Sequence, residues 1–226
     1  MLGVLKLDSR GWGRAERDSL YGLPVLCSRA DPVGWLGEFR LRRAGRALHC
    51  GGAVHTLAPQ GFDRWPLLEA WGLRPVDPLP LVRAQSVPLA LTAMARQGLD
   101  PGRGVVALRG ARADRDMERT AQALCPLVRR LIIDAPRGGE ELSRRLRWEY
   151  GIPILPPEEG GQVALCFSPV VQQPEKAVLS LYGPRPDLGD LTLSAPMLKE
   201  EDQTDLPLLA ALWEGGCLES SRLKIT

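Results

Sequence analysis

Histidine is scarce in this chain, which has only His49 and His55 among its 226 residues. A serine or cysteine nucleophile that needs an imidazole base would have to use one of these two side chains. The G-x-S-x-G motif of α/β-hydrolases and the Walker motif G-x-x-x-x-G-K-[ST] are both absent. No apolar run approaches the ~20 residues that a membrane helix needs. These absences exclude a nucleophile-elbow hydrolase, a P-loop phosphotransferase and a helical membrane protein.

The five cysteines are scattered along the chain and never form a C-x-x-C pair. Their odd number and wide spacing favour reduced thiols over a disulfide framework. The apolar start of the chain ends at Lys6, which is too short for the core of a signal peptide. We therefore predict a cytoplasmic protein with no disulfide and no stoichiometric zinc.

A metal site is one alternative. Cys27, His49, Cys50 and His55 supply four side chains of the kinds that bind zinc. Their spacing differs from that of a zinc finger or ribbon, and His49 and Cys50 would point to opposite sides of a strand. Buried thiols and hydrogen-bonded histidines explain the same residues. A Cys/His metal-binding protein is kept as an alternative hypothesis.

Charge is nearly balanced overall, with 29 Lys and Arg against 27 Asp and Glu, so we expect neither a nucleic-acid partner nor a membrane surface. The distribution is uneven. Residues 1–75 and residues 76–150 each carry a formal charge of +4, whereas residues 151–226 carry −6. Solvated faces of different composition explain this asymmetry. A second copy of the chain, joined through opposite charges, is an alternative, and other partners stay unknown.

The first 78 residues predict a small α/β lobe. Apolar clusters and turn residues predict strands at 2–7, 24–27 and 47–50, a helix at 32–43 that ends before Gly45, and a short helix at 64–71. The stretch PVDPLP at 75–80 is typical of a linker. We therefore place a domain boundary between a lobe of residues 1–78 and a domain of residues 79–226.

The second domain has a clearer pattern. Short apolar runs predict strands at 105–108, 131–133, 152–155, 163–167, 177–181 and 191–194, and amphipathic stretches predict helices from Ser86, at 114–128, at 139–150 and at 206–213. Apolar strands that alternate with helices indicate right-handed crossovers and a parallel sheet. The predicted fold class is α/β: a Rossmann-like, mainly parallel sheet with helices on both faces, preceded by a smaller α/β lobe.

The stretch from Leu108 to Asp114, LRGARAD, follows the first strand of this domain. In outline, residues 85–170 resemble the dinucleotide-binding domains of shikimate-dehydrogenase-like enzymes. That resemblance is one of topology: a helix, a strand, a glycine turn, a second helix, and a second strand that closes on an acidic residue. It implies that Gly110 stands at the first glycine and Asp134 at the acid that holds the ribose of NAD(P).

This sequence departs from the family pattern at the glycine turn. Of G-x-G-x-x-G only Gly110 is present, and side chains such as Arg112 would keep the backbone from a pyrophosphate. Three acids, Asp114, Asp116 and Glu118, crowd the first turn of the next helix and would repel a phosphate there. Arginine side chains would then make any phosphate contacts. The candidate cofactor residues are Arg109, Gly110, Arg112 and Asp134.

The leading hypothesis is a protein with a Rossmann-like domain and no bound cofactor, which acts as a binding or interaction module or is a degenerate relative of a nucleotide-binding enzyme. The alternative hypotheses are an NAD(P)-dependent oxidoreductase-like enzyme and the Cys/His metal protein. An ordinary βα turn at Gly110 and an ordinary strand end at Asp134 account for the same residues without any ligand.

Overall fold

A computed structural model describes residues 1–169 and 175–226. Its strands are β1 (Leu2–Leu7), β2 (Trp12–Leu20), β3 (Leu23–Ala30), β4 (His55–Leu57), β5 (Arg74–Pro75), β6 (Val105–Arg109), β7 (Arg130–Asp134), β8 (Ile154–Leu155), β9 (Val163–Cys166), β10 (Ala177–Ser180), β11 (Leu193–Ser194) and β12 (Lys224–Ile225). Its helices are α1 (Gly37–Cys50), α2 (Trp65–Glu69), α3 (Leu79–Ala84), α4 (Ser86–Arg96), α5 (Arg115–Leu124), α6 (Gly139–Tyr150) and α7 (Leu206–Glu214).

Residue contacts divide the chain into two compact units. The first contains Met1–Asp77 and Met197–Arg222, and the second contains Pro78–Pro196 and Leu223–Thr226. The division after Asp77 lies within the proline-rich stretch 75–80. The segment Met197–Arg222, which carries α7, packs with the first unit although it lies far along the chain.

The first unit is built on a five-stranded sheet in the order β2-β3-β1-β4-β5. All neighbouring strands are parallel except β2 and β3, which form an antiparallel hairpin. Strand β2 was not predicted, because its charged residues do not alternate with apolar ones. As an edge strand, β2 carries charges and a bulge between Trp12 and Ala15, both of which discourage pairing with another chain.

Helix α1 packs against this sheet and corrects two sequence predictions. It spans Gly37–Cys50, so the helix predicted at 32–43 is displaced and the strand predicted at 47–50 is wrong. Leu41, Ala44 and Leu48 are fully buried at helical spacing. Gly45 lies inside the helix, where a Cβ atom would lie 3.0 Å from Trp71. It serves close packing against the α2 region and does not end the helix.

The second unit contains a five-stranded parallel sheet in the order β8-β7-β6-β9-β10. Numbered along this unit, the order is 3-2-1-4-5, which is the Rossmann order. The prediction that 105–108, 131–133 and 163–167 share one parallel sheet, with helical crossovers, is confirmed. The predicted strand at 191–194 is shorter and instead pairs with β12 in a separate two-stranded sheet.

Apolar side chains from the central strands form the core of the second unit. Val106, Leu108, Leu131 and Leu165 are fully buried, and helices α4, α5 and α6 contact the sheet or one another. The mixed α/β class with a mainly parallel sheet is therefore confirmed. Within the described residues, no helix is long and apolar enough to cross a membrane.

We expect Gly13→Ala to destabilise the first unit strongly. Gly13 has a φ of +70°, and an added Cβ would lie 2.7 Å from the Ala44 amide nitrogen and 2.8 Å from the Arg40 carbonyl oxygen. Left-handed strain of ~1–2 kcal/mol and overpacking of ~1–3 kcal/mol should together lower the free energy of unfolding by about 3 kcal/mol. Urea unfolding followed by tryptophan fluorescence measures this.

Gly61→Ala is the matched control, because Gly61 has a φ of +77° and an added Cβ would meet no atom within 4 Å. It should show only the left-handed strain, about 1–2 kcal/mol. Equal losses in the two variants would mean that β2 and α1 are not in close contact at Gly13.

Candidate functional site

The carboxyl ends of β6 and β9 mark the point where the strand order of the second unit reverses. In open α/β sheets, ligands bind in the crevice at such a switch point. Strand β6 ends at Arg109 and is followed by Gly110, while β9 ends at Cys166 and is followed by Phe167 and Ser168. This is the position at which the alternative hypothesis, an NAD(P)-dependent enzyme, would place its dinucleotide.

Hydrogen bonds tie the two loops of this crevice together. The Phe167 N–H donates to the Arg109 carbonyl oxygen at 2.8 Å. The Ala111 N–H donates to Ser168 Oγ at 2.7 Å. The loop after β6 is thus bound to the loop after β9 directly across the switch point.

Two further amides of the glycine turn also have partners within the chain. The Gly110 N–H donates to the Asp134 carbonyl oxygen at 2.9 Å, and the Ala113 N–H donates to the Arg137 carbonyl oxygen at 2.8 Å. Arg112 is exposed and forms an isolated parallel bridge with Arg137. A phosphate at a helix N-terminus is held by backbone N–H groups. In this turn, three of those groups already donate to the protein.

Arg109 is a buried cation at the end of β6, with 3% of its side chain exposed. Its Nη1 lies 2.5 Å from Asp134 Oδ2, and its Nη2 lies 2.5 Å from Glu175 Oε1. Its Nε also donates to Glu175 Oε1 at 3.0 Å, and Nη2 donates to the Pro157 carbonyl oxygen at 3.1 Å. Each of the three guanidinium nitrogens therefore donates at least one hydrogen bond to the protein.

The two carboxylates of this network differ in exposure. Glu175 is fully buried, whereas 29% of the Asp134 side chain is exposed. Burial acts to lower the pKa of Arg109, but the hydrogen bonds and charges of Glu175 and Asp134 outweigh it, and the pKa is raised. Arg109 stays charged at any physiological pH, and its one positive charge faces two carboxylates, which gives the network a formal net charge of −1.

The acids at the start of α5 have structural partners too. Asp114 caps the helix by accepting from the Met117 N–H at 2.9 Å. Asp116 pairs with Arg83 at 3.0 Å, and Glu118 pairs with Arg145 at 3.2 Å. The sequence predicts that these three acids stabilise the helix dipole and repel a phosphate. In the structure they fix the N-terminus of α5 and its neighbours.

Arg83, on α3, joins several elements at this edge of the sheet. Its guanidinium group donates to the Phe167 and Leu181 carbonyl oxygens at 3.1 and 3.0 Å, besides pairing with Asp116. Arg83 was not among the predicted site residues, because these partners lie at least 33 residues further along the chain. No periodic signal in the sequence indicates such long-range contacts.

The four candidate cofactor residues thus lie at one edge of the sheet, but in different roles. Arg109 and Asp134 pair with each other, and Gly110 binds the Asp134 backbone. Arg112 has no ion-pair partner among the described residues. Glu175 and Ser168, which were not predicted, complete the arrangement. The role of the four residues as cofactor ligands stays a prediction.

The histidine and cysteine residues are dispersed. Cys27 is buried on β3, while Cys50 is exposed at the end of α1 and His55 is exposed on β4. Among residues 1–169 and 175–226, no group of three or more His, Cys, Asp or Glu side chains is placed to hold a metal ion. The four residues considered as a metal centre are therefore not brought together. The absence of zinc from the purified protein stays a prediction.

Known proteins offer little guidance. No family model and no curated protein matches the sequence. Among solved structures, the chain is similar to L-tryptophan dehydrogenase from Nostoc punctiforme, with a TM-score of 0.32 and 13% sequence identity. The match covers 73% of this chain and 55% of the dehydrogenase chain. The Rossmann-like character of the second unit therefore rests on its strand order and register.

We expect Arg109→Met to destabilise the second unit by about 3–5 kcal/mol, because it leaves the buried Glu175 carboxylate without its cation. Guanidinium unfolding followed by circular dichroism measures the loss. Arg144→Met is the control, since Arg144 and its partner Glu140 are 77% and 90% exposed and such pairs contribute about 0.5 kcal/mol or less. Similar losses in both variants would contradict the structural role of Arg109.

The cysteines should separate into two classes of reactivity. Burial raises the pKa of Cys27 and Cys125, and it raises the pKa of Cys166 to about 11, to which the Glu175 charge contributes. At pH 8 these thiols are almost fully protonated and shielded, and the thiolate is the reactive form. Iodoacetamide should label the exposed Cys50 and Cys217 first.

Peptide mass spectrometry of native and urea-unfolded protein tests this order. All five cysteines should react once the chain is unfolded. Early labelling of Cys166 in the native protein would show that the crevice opens to solvent.

Proposed function

We propose that this chain is a binding module without catalytic activity, in which the Rossmann-like unit is a scaffold and not a dinucleotide site. The observation that supports this proposal is the occupation of the switch point by the protein's own groups. The Arg109 network fills the edge of the sheet, and amide-to-loop hydrogen bonds join the turns after β6 and β9.

The electrostatics of the crevice support the same proposal. Arg109, the buried cation directly before the glycine turn, already faces two carboxylates, Asp134 and Glu175. One oxygen of Asp134 already accepts from Arg109, so a ribose hydroxyl would have to share this carboxylate with the buried cation. A dinucleotide would therefore replace several satisfied interactions of the protein, and the net free energy of binding would be small. The proposal retains the expected cytoplasmic location, which cell fractionation tests.

NAD(H) and NADP(H) should bind no tighter than roughly millimolar, equivalent to about 4 kcal/mol. Isothermal titration of the full chain measures this directly. Micromolar affinity that is lost in Asp134→Asn but kept in Glu141→Gln, an exposed acid on α6, would contradict the proposal. It would favour an NAD(P)-dependent oxidoreductase in which Asp134 holds the ribose.

A further inference from the structure

Two cavities that share lining residues lie along β2 in the first unit, one towards β3 and the other towards α1. The first, of about 950 Å³, is lined by Trp12 and by five arginines: Arg10, Arg14, Arg17, Arg29 and Arg43. The second, of about 800 Å³, is lined by Phe39, Trp71 and four arginines: Arg14, Arg42, Arg43 and Arg46. Arg14 and Arg43 line both cavities, which are together called the arginine groove.

The guanidinium groups of the groove are exposed and mostly uncommitted. All seven arginines are solvent-exposed. Arg42 lies 3.5 Å from Glu38. Within the described part of the chain, no carboxylate forms an ion pair with Arg14, Arg43 or Arg46. Unlike Arg109, these side chains retain their donors and charge for a ligand.

Carboxylates are unevenly placed along the groove. Asp8, Glu16 and Asp18 line the first cavity beside its five arginines. Two of these acids have partners in the chain: Asp8 Oδ1 accepts from the Arg10 N–H, and Asp18 lies 3.7 Å from Lys6. The second cavity has no acidic residue among the described residues that line it. The positive charge is therefore least compensated in the second cavity, which Arg14, Arg42, Arg43 and Arg46 line.

Aromatic side chains are exposed beside this charge. Trp12 is 54% exposed and Phe39 is 57% exposed. The Arg40 guanidinium carbon lies 4.9 Å from the centre of the Trp12 ring, and Arg40 is itself fixed by Asp31. This cation–π contact orients the Trp12 ring. Exposed rings next to a row of arginines are the combination that binds bases and phosphates of a single strand.

We propose that the arginine groove binds single-stranded nucleic acid, with phosphates on Arg14 and Arg43 and bases stacked on Phe39 and Trp12. This inference rests on the proposed binding function and adds its ligand. A single strand is favoured over a mononucleotide because two cavities, of about 950 and 800 Å³, share two cations. The formal charge of the whole chain, +2, does not predict a nucleic-acid partner, because it sums the arginines of this groove with acidic segments elsewhere in the sequence.

The test uses fluorescence anisotropy of labelled dT20 and rU20 with the full chain at 50 and 200 mM salt. The variant R14Q/R43Q should weaken binding about ten-fold or more at 50 mM salt. It should also flatten the dependence of log affinity on log salt by about 0.7 for each phosphate that the variant no longer neutralises. The control R103Q/R129Q removes two exposed arginines from the second unit and should change affinity less than two-fold.

Stacking is tested by Phe39→Ala, which should weaken binding about five-fold or more. Trp148→Ala is its control, because Trp148 is 90% exposed and lies on α6 of the second unit. If R14Q/R43Q fails to fold by circular dichroism, R42Q/R46Q removes two exposed cations of the second cavity and should also weaken binding and flatten the salt dependence.

Several outcomes would overturn the proposal. One is no binding of dT20 or rU20 at 50 mM salt. Another is an equal loss of affinity in R14Q/R43Q and R103Q/R129Q, which would indicate non-specific attraction. Tighter binding of polyglutamate than of dT20 would assign the groove to an acidic protein, and equal affinity for thymidine monophosphate would assign it to a nucleotide. Each of these is independent of the NAD(P) titration, so this proposal and the proposed function can fail separately.

Discussion

A guanidinium group buried at the carboxyl edge of a parallel sheet has to be neutralised and hydrogen-bonded within the protein, because burying an unpaired charge costs several kcal/mol. Arg109 imposes this constraint on the second unit. Asp134 meets it from the neighbouring strand β7, and Glu175 meets it from the chain that enters β10. The Pro157 carbonyl oxygen accepts a further bond. The Arg109 side chain thereby links the ends of β6 and β7 to the segment that leads into β10.

The pairing of Arg109 with Asp134 also affects whether the switch point can bind a dinucleotide. In a dinucleotide-binding domain, glycines leave the first turn open to a pyrophosphate, and the acid on the second strand is available to the ribose. Here the acid is Asp134, and its partner is Arg109. The turn is joined to the opposite loop through Ser168. The Rossmann strand order is present, but the turn amides and the acid that would bind a ligand instead bind other groups of the protein. Strand order thus indicates architecture and not activity.

Much of the second unit follows from its sequence. The apolar runs at 105–108, 131–133 and 163–167 are bounded by glycine, aspartate or helical stretches, and their length suits buried parallel strands. The proximity of Arg109 and Asp134 is also predictable, because each ends one of two neighbouring strands. Glu175 is not, since its contact with Arg109 spans 66 residues and depends on how the chain crosses the sheet.

The first unit is where local patterns fail. Gly45 has the sequence context of a helix stop, whereas tertiary packing against Trp71 places a glycine inside α1. Strand β2 escapes prediction because an edge strand carries charges on both faces. Its arginines consequently have no predicted neighbours, and their position beside those of α1 becomes visible only when β2 is packed against the helix. The arginine groove is a property of tertiary structure and has no linear motif.

The acidic segment 200–202 and Arg14 lie towards opposite ends of the β2–β3 hairpin. The net charge of the chain is therefore a poor guide to the local charge around Arg14. At the turn of the hairpin, the Tyr21 hydroxyl donates to Asp202 at 2.5 Å, so the acidic segment 200–202 lies at that end. Trp12, Arg14 and the bulge lie at the opposite end, next to α1. The positive charges near Trp12 and the negative charges of segment 200–202 cancel in the formal net charge of the chain, but they lie at opposite ends of β2. The nine residues of this strand span roughly 30 Å. That distance exceeds the Debye length of ~8 Å at physiological salt, so the acids of segment 200–202 barely screen the Arg14 end of the groove. The nearby counter-charges are Asp8, Glu16 and Asp18 of the first cavity, and the second cavity has none among its described lining residues.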